Sequence, residues 1–448
     1  MRTLGTAPKL VSVACGAIAM WAAPLAASTG STAADTAKST FHKDIAPLFQ
    51  QNCEGCHRQG GTQLGGMIAP MPLTTYDEVR PWARAVARKV AAKEMPPWFA
   101  SEEFHGVFAN ERTLTAQQIA MVVDWVQAGA PAGDPADAPP PKQWDDYEGW
   151  TIGKPDLVLD LAEPFWIEDA VRDLNISLKA EAITTGMLPE ARWIEAVEFR
   201  PGSDAVHHII GSTRAASAEA PGATGMFGGI APGTEPFRLP AGFGRLLLPG
   251  TQVFLQMHYN KEPGEGSGRW DRSQVAFKFK PKDEVIEHVV QWDAIGNRGF
   301  EIPPGVENWE VGASRVFEHE TTIFGYLPHM HLRGKYAKYV AFYPDGTQET
   351  LLEVPWYDWN WQTNYEYKER KVVPSGTRIE VTMYFDNTKE REELIRAGGT
   401  EIDSERAVRF GGPTSDEMML GFIDYAYNIP REELGAGAHD TSTAGGQR

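Results

Sequence analysis

Two histidines one residue apart, His329 and His331, lie in a short apolar run that favours extended structure. In a strand, residues i and i+2 project from the same face, so both imidazoles can bind one metal ion. Two other β-prone runs carry the adjacent pair His207 and His208, and the single His258. Adjacent residues diverge on a regular strand, so that pair can share a metal only with a local twist or through different ring nitrogens. Three such stretches predict a metal-binding protein.

A second kind of chemistry is indicated by the segment Cys53-Glu-Gly-Cys56-His57. A Cys-x-x-Cys pair also occurs in disulfides and in thioredoxin-type redox motifs, but a histidine directly after the second cysteine is typical of covalently attached haem. Both thiols then form thioether bonds, and His57 is the proximal ligand of the iron. The segment therefore predicts a haem c.

The sixth ligand of the haem iron is expected from a methionine further along the chain. Met95 is the first choice, because a thioether ligand raises the haem potential and suits the iron to electron transfer. Met71 and Met67 are the alternatives. Met95 as a packing residue of the core is the non-functional interpretation.

Composition narrows the class of protein. The chain has 448 residues, of which 42% are hydrophobic and 10% aromatic. It can therefore bury sizeable cores in two or three domains. A formal net charge of -18 argues against a nucleic-acid partner, because phosphate binding needs a basic face.

Residues 1–28 have the layout of a secretory signal peptide, with a basic start, an apolar middle and small residues at the end. The apolar run is short and contains Pro24, so a retained membrane anchor is the weaker alternative. We therefore expect an exported protein, periplasmic or secreted, from which Cys15 is removed with the signal peptide.

The elements around the haem motif are those of a small all-α cytochrome c domain, residues 40–130. A helix from Phe41 to Phe49 leads into the motif, and a partner helix follows Thr115, a suitable N-cap, and ends near Gly129. Residues 131–153 form a Pro-rich linker.

From residue 154 onward the pattern changes to short alternating runs separated by Gly, Pro and Asn. Strands at this spacing predict antiparallel β-sandwiches. The length suffices for two all-β domains, residues 154–292 and 293–432, followed by a flexible tail, 433–448.

The order of the histidine motifs, followed by Thr414-Ser-Asp-Glu-Met418, resembles the copper type II, ascorbate-dependent monooxygenases, the family of peptidylglycine α-hydroxylating monooxygenase and dopamine β-monooxygenase. The resemblance covers roughly Lys154 to Pro430 and implies two jelly-roll domains that hold one copper ion each. It assigns three histidines to an electron-transfer copper: His207, His208 and His258. It assigns two histidines and a thioether to a catalytic copper: His329, His331 and Met418.

Alternatives remain at two of these positions. Met419 competes with Met418, and His258 taken alone is as typical of a buried structural histidine. A thioether fits the catalytic role, because a soft ligand favours Cu(I), the state that binds and reduces oxygen.

The chain departs from the family where the substrate would bind. Leu327 stands where the peptide-hydroxylating members have an arginine, and Leu420 and Phe422 replace their asparagine and tyrosine. A peptide carboxylate would lack its partners, so we expect a more apolar substrate. The cysteines left after export are both in the haem motif, so the sandwiches must depend on packing rather than on disulfides.

The resemblance implies an exported dicopper monooxygenase that hydroxylates a C–H bond of a small organic substrate with O2. The fused haem suggests that electrons come from a periplasmic or respiratory redox protein, with ascorbate as the other candidate donor. The competing hypothesis is a non-catalytic electron-transfer or copper-binding protein on the same scaffold.

Overall fold

Strands dominate the computed structural model, which describes residues 39–59, 69–144, 148–215, 223–397, 400–430 and 433. The predicted signal peptide, Met67 and nearly all of the predicted tail lie outside these residues. Everything described belongs to a single unit, Ser39–Arg448. Among the described residues, no helix is long and apolar enough to span a membrane.

Helices are concentrated before residue 130. A π-helical turn, Phe41–Ile45, continues into the first of the α-helices, which are α1 Ala46–Asn52, α2 Tyr76–Val79, α3 Ala83–Ala91, α4 Ala116–Gln127 and α5 Lys389–Ala397. Short 3-10 turns occupy Arg80–Trp82, Glu102–Phe104 and Pro135–Asp137.

The predicted start of α4 is confirmed. Thr115 accepts a hydrogen bond from the Gln118 backbone N–H at 3.2 Å, and the Gln118 side chain accepts one from the Thr115 N–H at 2.8 Å. This reciprocal cap satisfies two N–H groups that the first turn leaves unpaired. Gly129, at φ 93°, lies just beyond the end of the helix in the conformation that glycine adopts most readily. One apolar core joins α4 to α1 and α3, and Trp125 is fully buried in it.

The strands in chain order are β1 Leu157–Asp160, β2 Phe165–Ile167, β3 Asp173–Lys179, β4 Arg192–Arg200, β5 Val206–Arg214, β6 Gly225–Ile230, β7 Phe243–Leu247, β8 Gln252–Asn260, β9 Arg269–Asp271, β10 Gln274–Phe279, β11 His288–Asn297, β12 Glu301–Ile302, β13 Trp309–Phe317, β14 Thr321–His329, β15 Gly334–Phe342, β16 Gln348–Val354, β17 Tyr365–Val373, β18 Thr377–Phe385, β19 Val408–Arg409 and β20 Met419–Tyr427.

Among the described residues, these strands form one eight-stranded sheet, two four-stranded sheets and two two-stranded pairs. The large sheet has the order β1-β10-β4-β7-β11-β20-β14-β17, and the four-stranded sheets have the orders β3-β8-β5-β6 and β13-β18-β15-β16. One apolar core lies between β3-β8-β5-β6 and the first half of the large sheet, and a second lies between β13-β18-β15-β16 and its other half. The predicted β-sandwiches are therefore present, and we call them the first sandwich (β1–β10) and the second sandwich (β11–β20).

The two sandwiches share the large sheet. Strand β11 pairs with β20 of the second sandwich and, in parallel, with β7 of the first. The boundary predicted at residues 292 and 293 falls inside β11. Alternation of apolar residues identifies a strand, but the pairing partners of that strand are set by contacts far away in sequence.

The helical segment also packs against the second sandwich. Phe104 and Phe108 belong to that sandwich's core, and Phe108 forms an isolated bridge with Tyr367 of β17. The Trp98 ring lies 5.0 Å from the ring of Tyr365. Helices and strands are thus held together by apolar contact as well as by the linker.

Candidate metal centre

His207 and His208 lie on β5 at an irregularity of its pairing with β8. Val206 is opposite Tyr259 and His208 is opposite His258, so His207 is an extra residue on its strand. A bulge of this kind increases the local twist. It is the local twist that two adjacent histidines require if both are to reach one metal.

One ring nitrogen from each of three histidines, His207, His208 and His258, lies within 4.8 Å of the other two. His258 Nδ1 is 2.9 Å from His208 Nε2, and His258 Nε2 is 3.0 Å from the carboxylate of Asp173. A carboxylate on one ring nitrogen orients the other toward a metal and makes it more basic. Burial opposes ionisation of Asp173, but hydrogen bonds from His258 and Thr414 lower its pKa below the ordinary value.

His329 ends β14, and His331 follows two residues later. The His329 Nδ1 lies 2.5 Å from Gln362 Oε1, and the His331 Nδ1 lies 3.2 Å from the carbonyl oxygen of Asp416. Since both partners are acceptors, each Nδ1 carries the proton and donates it. The two Nε2 atoms are left with their lone pairs available to a metal.

The two groups of histidines meet. The His208 ring centroid is 5.3 Å from that of His329, and the His258 centroid is 6.2 Å from that of His331. We call the combined group the five-histidine cluster: His207, His208, His258, His329 and His331.

The donor atoms of this cluster fit copper. Buried ring nitrogens without a hydrogen-bond partner among the described residues are found on four of its members: His207 (both nitrogens), His208 (Nδ1), His329 (Nε2) and His331 (Nε2). Burial lowers the pKa of each of these four histidines, that of His329 to about 4. They are therefore neutral near pH 7, as metal-binding imidazoles must be. Imidazole binds copper in both of its oxidation states.

Of the two candidate methionines, Met418 fits the ligand role better. Met419 is fully buried in the core of the second sandwich, whereas Met418 lies outside that core and is 9% exposed. In the antiparallel register of β14 and β20, His329 is opposite Leu420. The pairing ends there, and His331 and Met418 both lie just beyond it, His331 after β14 and Met418 directly before β20.

Glu417 fixes the backbone next to Met418. Its carboxylate accepts hydrogen bonds from the backbone N–H groups of His331 at 2.8 Å and Arg333 at 2.6 Å. Burial raises the pKa of Glu417 to about 7, against the effect of the Arg333 charge. The Arg333 guanidinium is itself fully buried and donates to the carbonyl of Ser415 at 2.8 Å. These bonds connect the two segments that carry His331 and Met418.

Several neighbours of the cluster were not predicted. Trp359 stacks on His207 with ring centroids 4.0 Å apart and an interplanar angle of 7°, and its ring also lies 5.4 Å from that of His331. Asp173 and Gln362 each hold a ring nitrogen of a histidine far away in sequence. The one signal of these neighbours in the sequence is the tryptophan-rich run from Trp356 to Trp361. A surface loop of a β-sandwich does not need so many tryptophans.

The three residues that replace the family's polar groups lie together beside the cluster. Leu327 and Phe422 are buried with Trp292, and Leu420 packs at the edge of the same apolar group. Phe422 stacks on Trp292 at 4.4 Å, and its ring is 6.2 Å from that of His329.

The predicted haem motif lies at the end of α1, with Cys53, Cys56 and His57 half-buried. Burial raises the pKa of Cys53 to about 12 and also raises that of Cys56. His57 Nδ1 lies 3.0 Å from the carbonyl oxygen of Met71. The carbonyl therefore holds the Nδ1 proton and leaves Nε2 for an iron, the arrangement expected of a proximal ligand.

Met95 lines a cavity of about 450 Å³ together with apolar residues that include Val90, Leu114 and Ile119. Among the described residues, the lining does not include Cys53, Cys56 or His57. Arg112 is close to both the cavity and this motif. Arg112 lines the cavity and lies close enough to lower the pKa of Cys56, although burial has the larger, opposite effect.

Comparison with known proteins gives no assignment. No family model matches the chain, and no curated protein matches it. Similar solved structures include the VP2 subviral particle of infectious bursal disease virus (TM-score 0.19, 9% identity, 63% of this chain and 74% of that chain) and the cowpea mosaic virus top component (TM-score 0.27, 6% identity, 62% and 95%). Likenesses with TM-scores this low carry no argument.

Proposed function

We propose that the chain is an exported oxidoreductase that uses haem c and copper. Two features support this class. Four members of the five-histidine cluster, His207, His208, His329 and His331, have buried ring nitrogens without a hydrogen-bond partner among the described residues. The Cys53-x-x-Cys56-His57 motif has its histidine ring already held by a backbone carbonyl.

Within this class the chain is proposed to be a monooxygenase, in which two jelly-roll domains hold two copper ions and a C–H bond of a small organic substrate is hydroxylated with O2. Copper, when bound, supplies the one-electron chemistry that activates O2. The observation that carries the proposal is the convergence of histidines from two sandwiches.

The chain's own residues orient the ligands and exclude water. Asp173, Gln362 and the Asp416 carbonyl each fix the tautomer of one histidine. Trp359 covers His207, and Phe422 borders His329. The proposed substrate side of the site is therefore apolar, which suits a substrate without charge.

The haem would be held by Cys53, Cys56 and His57, with Met95 favoured as the sixth ligand. The Met71 carbonyl contacts the His57 ring, so Met71 would already be engaged with the proximal ligand. Met95 lines its own cavity in the helical segment.

Two contacts and two short stretches of chain would link the haem domain to the cluster. Trp98 follows Met95 by three residues and packs against Tyr365, which follows Gln362 by three residues. Gln362 in turn holds His329. An electron from ascorbate or from a periplasmic or respiratory donor would reach the haem first and then pass along this short route.

The test compares Met418→Ala with Met419→Leu, a control that keeps core volume. Both proteins are first shown to retain haem after acid–acetone extraction. Met418→Ala is expected to abolish substrate-dependent oxygen uptake while the haem is still reduced by the donor, because one ligand of the catalytic copper is lost. Met419→Leu is expected to keep most of the uptake.

Two results would contradict the proposal. Turnover by Met418→Ala at the parent's rate would make Met418 a packing residue. No substrate-dependent uptake by the parent with any donor would leave the non-catalytic electron-transfer or copper-binding protein as the better interpretation.

A further inference from the structure

The two groups of histidines touch each other rather than occupying separate sites. The His208 ring lies 4.6 Å from that of His258, in its own group, and 5.3 Å from that of His329, in the other. The distance between the His329 and His331 rings, 5.4 Å, is no shorter. The distance between rings of different groups is therefore similar to the distances between rings of the same group.

The free nitrogens of both groups are also buried in this one region. His208 Nδ1, His329 Nε2 and His331 Nε2 have no partner among the described residues. His208, His329 and His331 are each at most 3% exposed. We propose that the five-histidine cluster binds two copper ions as a single, magnetically coupled dinuclear centre rather than as two isolated sites. The identity of the metal rests on the proposed function.

The closeness of the groups is fixed by contacts between the sandwiches. Trp359 of the second sandwich stacks on His207 of the first. The Thr414 backbone N–H donates to Asp173 at 2.8 Å, and this carboxylate also holds His258. The shared sheet runs through the pairing of β7 with β11. Separating the groups would break all of these contacts, so the closeness of the two groups follows from the fold.

One carboxylate lies directly against the cluster. Positive ions removed from water need negative charge nearby. Asp173 supplies such a charge, because its carboxylate contacts the His258 ring and accepts a hydrogen bond from the Thr414 backbone N–H.

Electron paramagnetic resonance on the haem-containing full chain, titrated with Cu(II) sulfate, tests the proposal. At full loading we expect two coppers per chain by elemental analysis, a half-field transition, and fewer copper spins than copper ions. The ferric haem signal is subtracted with the copper-free protein. The double variant His329→Ala/His331→Ala should hold one copper with a full, isolated signal.

His288→Ala is the matched control, since His288 lies outside the cluster and its Nδ1 faces the Ile429 carbonyl at 3.3 Å. It should keep both coppers and the coupling. Two isolated signals that account for every copper in the parent would overturn the proposal, and so would saturation at one copper. Both of these results would be measured on the parent protein, so neither depends on whether a variant folds. A coupled signal without oxygen uptake would refute the monooxygenase and leave the centre in place.

Discussion

At the residue scale, buried neutral histidines make the stability of the metal-free protein depend on pH. The pKa of His329 falls from 6.5 to about 4 on folding because of burial. Between these values the unfolded chain binds a proton that the folded chain excludes, so stability is full above about pH 6.5 and is lost as the pH falls toward 4. His329 alone accounts for about 3 kcal/mol of this loss.

We therefore expect urea unfolding of the metal-free protein to give a free energy of unfolding that drops steeply between pH 6.5 and 4. The variant His329→Gln should show a shallower slope over this window. Equal slopes in parent and His329→Gln would mean that folding does not lower the pKa of His329.

Residue types and spacing predicted the candidate ligands, but not the groups that hold them in place. A histidine in a β-prone run is visible in the sequence. Its partner is not, because Asp173 is 85 residues from His258 and Gln362 is 33 residues from His329. Such partners are brought in by strand pairing and loop packing.

At the element scale, the segment between Met95 and Phe108 docks the helical segment on β17. Trp98 contributes an aromatic contact with Tyr365, and Phe108 contributes buried area in the second sandwich's core. Local patterns predicted the helices, since the Thr115 cap and the apolar spacing are short-range signals. The docking surface was not predicted, because it depends on residues more than 250 positions apart.

Trp98→Ala should slow electron transfer from haem to copper several-fold without changing copper content, because it opens a gap in the contact route to Gln362. Trp98→Phe retains an aromatic ring and should be much closer to the parent. The measurement is stopped-flow reoxidation of the reduced haem by O2. Trp270→Ala, at a 59% exposed tryptophan, is the control. Parent-like reoxidation in Trp98→Ala would place the route elsewhere.

At the scale of the whole molecule, the shared sheet makes the two sandwiches one structural body. The alternation of apolar and polar residues predicted both sandwiches but not that they share a sheet. The parallel contact between β7 and β11 involves only two residue pairs, His288–Phe243 and Val289–Gly244. The Arg245–Asp424 ion pair adds a partly buried charge contact between the same two halves. Copper bound by ligands from both halves would add a further connection.

Thermal unfolding followed by calorimetry should therefore show the β part of the metal-free protein melting in one transition, without separate peaks for the sandwiches. Copper should shift that transition upward as a whole, since a ligand bound only by the folded state stabilises it by about 2.7 kcal/mol at a hundredfold excess over Kd. In His208→Ala, whose lost ring touches both groups, the shift should be much smaller, whereas His288→Ala should keep it. Two resolved transitions, only one of them moved by copper, would show instead that the sandwiches unfold independently and that the metal is held by one of them alone.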